Sequence, residues 1–160
     1  MAELVVKETA DLDQLLSQLP TGMREDAYAE ALTAAGNIAK TRMRHLASIG
    51  DPNHNPQAKP LHKTFAVKVT DYQNGDVWVA IVGAEYPAGA HSHLVEEGHE
   101  VYRRGSKGDS ARGQKRKPLT GKAKVEGKYF MATAIDQTEA QQDAMVRKII
   151  SRKAEEYSRG

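Results

Sequence analysis

Apolar and polar positions alternate with different periods along the chain, and each change of period predicts an element. Leu4 to Val6 has the character of a short edge strand. Thr9 or Asp11 could then cap a brief helix running to Leu19 and ended by Pro20. From Thr21, whose hydroxyl suits an N-cap, the residues Met23, Ala27, Ala31, Ala34, Ile38, Ala39 and Leu46 recur at three-to-four spacing. They predict a long helix to about Ser48 with an Ala-rich stripe that permits close packing. Gly50, Pro52, Pro56 and Pro60 mark the loop that follows.

Phe65, Val67 and Val69 alternate with polar or small residues and predict a half-buried strand. Asn74-Gly75 is a hairpin signal, and Val77 to Gly83 returns as a second strand. A third extended segment is expected at His93 to Tyr102, completing an antiparallel sheet. A final helix should begin at Lys128 or Tyr129 and reach about Tyr157. Met131, Ile135, Met145, Val146, Ile149 and Tyr157 suit one face of it, while Thr138 and Gln142 dilute that face in the middle. The expected fold class is therefore α+β: two long helices packed on a small antiparallel sheet, with a long basic loop.

Composition narrows the picture. A length of 160 residues fits a single domain over 1–160, with 1–20 as an N-terminal arm or short helix. With two Phe and one Trp, the core must be built from Ala, Val, Leu, Ile and Met. There is no cysteine, which leaves no disulfide, thiolate metal site or cysteine nucleophile and suits a reducing cytosol. No signal-length apolar run opens the chain, and no membrane association is expected.

Charge is unevenly placed. The segment 103–128 holds ten Lys/Arg against Asp109 and Glu126, a net +8, and the rest of the chain holds thirteen basic and nineteen acidic residues, a net −6. Gly105, Gly108, Gly113, Pro118, Gly121 and Gly127 deny the basic segment regular structure, so it reads as an extended loop. Arg103, Arg104, Lys107, Arg112, Lys115, Arg116, Lys117, Lys122 and Lys124 are its candidate functional residues, meeting either an acidic face of a neighbouring copy or the phosphates of nucleic acid. It contains no aromatic residue for base stacking; Tyr102 and Tyr129 stand only at its margins. Any contact with nucleic acid would be electrostatic, and a solvated insertion with no partner is the bland alternative.

His91, His93, Glu97 and His99 would share one strand face, so a His-x-His metal pair is geometrically conceivable. The spacing that sets two ligands one helical turn apart on either side of a glutamate is absent, and no metal or cofactor is expected. Ser92 and Ser106 lie in no nucleophile pattern, and Gly105-Ser106-Lys107-Gly108 lacks phosphate-loop spacing. No catalytic residue is expected. Gly98 suits a backbone conformation closed to other residues, and Phe130, Met131 and Ala134 suit a helix start pinned onto the sheet.

Two short motifs carry a resemblance. His93, Val95, Glu96, Gly98 and His99 match "tyrosine or histidine, two apolar or small residues, Glu, one residue, Gly, Thr or His", and Tyr129, Phe130, Met131 and Ala134 match a "Pro-Phe-Leu/Met-x-x-Ala" helix start. Their order around a variable Gly-rich insertion resembles the tail-completion, head-tail joining or minor tail component family of tailed bacteriophages, over about 23–157. The chain differs from that family's pattern at Glu97, at Tyr129 where Pro is usual, and at Lys59-Pro60-Leu61-His62.

The resemblance implies a non-catalytic virion protein of the phage neck or tail, made in the host cytoplasm. Such a protein forms a ring, taken as a hexamer, between the connector or stopper and the tail tube or terminator. Its family motif residues here are His93, Glu96, Gly98, Phe130 and Ala134. Non-specific contact with genomic DNA follows if the loop faces the channel. The alternative is a free-standing electrostatic DNA-binding module.

Overall fold

The computed structural model describes residues 2–4, 14, 16, 17, 19–47, 59–72, 77–100 and 124–159. These fall into two compact units, one formed by 1–89 with 130–160 and the other by 90–129. The architecture is α+β, with two long helices and small antiparallel sheets.

In the first unit, β1 (Ala2–Leu4), β2 (Phe65–Tyr72) and β3 (Val77–Ala84) make a sheet of order β1-β3-β2. The hairpin is antiparallel, running from Phe65 opposite Ala84 to Tyr72 opposite Val77, as the alternation and Asn74-Gly75 predict. The short edge strand expected near Leu4 is present, over Ala2–Leu4, and it takes the third place in the sheet, with Ala2 opposite Val82 and Leu4 opposite Ala80; the segment after the hairpin does not.

Helix α1 (Thr21–Leu46) begins one residue earlier than a Thr21 cap would place it. Pro20 is the N-cap, and its carbonyl accepts from Arg24 N at 2.9 Å. The helix carries two buried faces. Ala27, Ala31 and Ala35 lie every fourth residue on one of them, packed with Val146, Ile149 and Ile150 of the last helix and with Leu16 and Leu19. Leu32, Gly36, Ala39 and Met43 form the second. Gly36 meets the sheet so closely that a methyl group there would lie 2.6 Å from Val67 Cγ1. Higher on the helix, the Tyr28 ring stacks on Trp78 of β3, 6.2 Å between centroids.

The expected stripe is thus rotated. Met23 is exposed and Ile38 and Leu46 are half-buried, because small residues, and not the large apolar ones, occupy the two closest approaches.

A short helix, α2, follows β3 over Ser92–Glu96 in the second unit. The last helix, α3 (Phe130–Arg159), packs along α1 and also touches β1. Arg42 Nε donates to Gln137 Oε1 at 2.8 Å, and Arg152 and Lys153 pair with Glu30, so the two helices run antiparallel. Phe130 sets the start of α3 against Phe65 edge-to-face, with centroids 5.8 Å apart, and Met131 and Ala134 are buried beside it.

Thr138 and Gln142, the residues that dilute the apolar face of α3 in its middle, lie buried, Gln142 only 1% exposed, while Tyr157, expected on that face, is exposed. Thr138 Oγ1 donates to Ala134 O at 2.7 Å and accepts from Gln142 Nε2 at 2.6 Å, which satisfies most of the pair. Gln142 Oε1 has no hydrogen-bond partner among the described residues.

Candidate functional site

The second unit holds three short elements: α2 (Ser92–Glu96), β4 (Gly98–Glu100) and β5 (Lys124–Glu126). The expected strand from His93 is replaced over 93–97 by this helical turn, closed by Glu97 N donating to His93 O at 2.9 Å, and only Gly98–Glu100 of it is strand among the described residues. His93 and Glu97 are therefore one turn apart, and the strand face shared by His91, His93, Glu97 and His99 does not exist. Nδ1 of His99 lies 3.3 Å from Leu94 O. Among the described residues no three His, Asp or Glu gather closely enough to hold a metal ion.

Gly98 ends the turn at φ 81°, the left-handed conformation that only glycine adopts without strain. A side chain there would also collide with Val125 O, and with Gly127 N at 2.6 Å. Gly127 is packed as tightly, since its own Cβ would lie 2.6 Å from Glu97 C. The two glycines interlock the start of β4 with the end of β5.

Backbone bonds complete the lock. Val95 O and Glu96 O, left open by the end of α2, accept from Lys128 N and Tyr129 N, both at 3.0 Å. Tyr129 itself takes φ 46°, an uncommon conformation for a residue with a side chain. Residues 95–96 and 128–129, which flank the basic stretch in sequence, are thereby joined in space. Strand β5 pairs antiparallel with β4, Gly98 opposite Glu126 and Glu100 opposite Lys124.

The 23 residues 101–123 between those strands enter and leave at one place, because Cα atoms of paired residues lie about 5 Å apart. That segment carries eight Lys/Arg and only Asp109, a net +7. Arg103, Arg104, Lys107, Arg112, Lys115, Arg116, Lys117 and Lys122 lie outside the described residues. Lys124 is the exception: it belongs to the strand and not to irregular loop, its side chain 66% exposed and 3.9 Å from Glu126. Of the motif residues, His93, Glu96 and Gly98 belong to the second unit, and Phe130 and Ala134 to the first.

Sequence reasoning missed a feature of the first unit. Between α1 and α3 runs an open groove of about 430 Å³, walled by Ile38, Thr41, Arg42 and His45 and by Thr138 and Gln141. Its signal in the sequence is Ile38 with Arg42 one turn further on, but periodicity counts Ile38 into the apolar stripe and gives Arg42 no role. Further along the same helix pair, the guanidinium of Arg152 and the Lys153 ammonium, 3.2 Å from Glu30 Oε2, hold the Glu30 carboxyl below its ordinary range. No helix among the described residues is long and apolar enough to cross a membrane.

No protein-family model, curated protein or solved structure matches this chain.

Proposed function

We propose that the chain is a non-catalytic structural subunit of a tailed-phage neck or tail, forming a ring that joins or completes the tail at the DNA-filled head. The observation that carries this reading is the meeting of the two motif segments: Lys128 N on Val95 O and Tyr129 N on Glu96 O close the base of a 23-residue, strongly basic segment. A segment anchored at both ends on a short ribbon can reach a neighbour without loosening the packed body. Its +7 charge suits either an acidic face of an adjacent subunit or the phosphates of DNA in the channel. Its partners in this role are copies of itself, the connector or stopper on one side, and the tail tube or terminator on the other.

Deleting the gene from the phage that carries it tests the reading. Filled heads and separate tails should accumulate unjoined, and fully infectious particles lacking the protein would refute it. If the purified chain instead stays monomeric and binds duplex DNA with steep salt dependence, lost when Lys115, Arg116 and Lys117 become Ala, the DNA-binding module takes its place.

A further inference from the structure

The groove between α1 and α3 has a chemical counterpart on the other side of the same helix pair. Asp136, Glu139 and Asp143 follow one another at spacings of three and four and so lie on one flank of α3. All three are exposed, and none forms an ion pair among the described residues. The groove flank is opposite in sign. Arg42 stands on its α1 wall, and Lys148, seven residues beyond Gln141 on the same side of α3, lies in line with it. Arg42 spends its Nε on Gln137 and has no ion pair among the described residues; Lys148 is exposed and likewise has none. At 3.6 residues per turn the two flanks of α3 are separated by roughly 150° around the helix axis.

We infer that the groove is a docking surface for a second copy of this chain, and that its occupant is the Asp136–Glu139–Asp143 flank of that copy's α3. The carboxylates meet Arg42 and Lys148, and the apolar wall at Ile38 is covered by the intervening small residues, Ala140 among them. Complementary surfaces on opposite sides of one body cannot pair with themselves about a two-fold axis. They are used head to tail, one copy's acidic flank in the next copy's groove, and such a contact closes into a ring when its rotation divides a full turn. The inference rests on the ring reading proposed above and supplies the contact that reading lacks. It also gives the basic 101–123 segment no part in joining the helix pairs.

A charge-exchange experiment on the full-length chain tests it. One variant reverses the groove (Arg42→Glu with Lys148→Glu), a second reverses the acidic flank (Glu139→Lys with Asp143→Lys), and circular dichroism checks that both are folded. Sedimentation velocity should find each variant alone associating at least about tenfold more weakly than the unmodified chain, since both flanks then carry one sign. Mixed in equal amounts, the two should associate again as alternating copies.

Assembly of the groove variant alone at the unmodified strength, or a mixture that stays dissociated, overturns the contact while leaving the ring. Loss in the acidic variant only overturns it too, because the acidic flank would then be bound by something other than the groove. An unmodified chain that stays monomeric at every concentration, and does not assemble on phage necks or tails, removes both the contact and the ring. The absence of native cysteine allows an independent check: Thr41→Cys with Ala140→Cys should give a disulfide ladder ending in a closed species, and isolated chains only would count against the contact.

Discussion

In the unit formed by 1–89 and 130–160, Met43, Ala80, Val82, Ala134 and Ile150 are closed off from water, whereas no described residue of 90–129 is fully buried. The first unit is stabilised by removing apolar surface from solvent, about 1.5 to 3 kcal/mol for each fully buried Val, Leu or Ile side chain. The second shows no fully buried side chain among its described residues, Leu94 and Val95 being half-buried. It is held by four backbone bonds around α2, by a three-residue ribbon and by two glycines that let the strands approach. Two-stranded ribbons are marginal by themselves, so the shape of this unit depends on backbone geometry in a way that the body does not. A unit of that kind can present a segment without being able to fold around it.

The contrast can be broken most strongly in the body. Ile150→Ala removes a side chain at 1% exposure from the seam between α1 and α3 and should cost about 2 to 5 kcal/mol in denaturant unfolding. Gly36→Ala should come next, at roughly 1 to 3 kcal/mol, because the new methyl must displace Val67 from between helix and sheet. Both should lower the midpoint of the whole first unit, and a loss confined to 90–129 would mean that the packing described here is not what holds it.

Gly98→Ala sharpens the other side. The left-handed φ of 81° costs a side chain about 1 to 2 kcal/mol, and the collision with Val125 O adds to it. The cost should fall on the ribbon alone: hydrogen exchange at Lys128 N and Tyr129 N quickens while α1 and α3 keep their protection. Equal quickening in the helices would show the two regions to be one cooperative structure.

Gln142→Leu should be smaller still, from neutral to about 1 kcal/mol stabilising, because it removes the unpartnered Oε1 while Thr138 keeps its bond to Ala134. Clear destabilisation would mean that a water or partner satisfies that oxygen.

The smallest effect is expected from Glu30. Its carboxyl, held low first by the hydrogen bonds from Arg152 and Lys153, contributes stability above the unfolded-state value near 4.5 and loses it as pH falls through the lower folded value. The groups are about half exposed, so Glu30→Gln should cost at most about 1 kcal/mol at pH 7. The difference from the unmodified chain should vanish in acid, and a difference that persists there would assign the effect to something other than charge.

Much of the body was legible in the order of residues. Phe65, Val67 and Val69 against the alternation after Asn74-Gly75 gives the hairpin, and the three-to-four spacings give both long helices to within a few residues of their ends, because these signals are local. The positive φ at Gly98 and the anchoring of Phe130 were likewise readable, since one needs only a glycine at a stop and the other an aromatic at a helix start. The basic segment and the acidic balance of the rest are composition, and need no fold to be seen.

Position in space is what the residues could not give singly. That Gly36 and the alanines, rather than Met23 and Leu46, mark the faces of α1 follows from two partners pressing on one helix, and closest approach favours the smallest side chains. The same crowding makes Thr138 and Gln142, polar interruptions of an apolar face, a buried pair. The N-terminal strand displaced the expected third strand because pairing partners are chosen across the chain and not along it. The meeting of Val95 and Glu96 with Lys128 and Tyr129, more than thirty residues apart, is likewise tertiary, as is the groove beside Arg42. Periodicity determines which face of an element seeks burial. Only the assembled structure decides what buries it, because that depends on neighbours which local order does not specify.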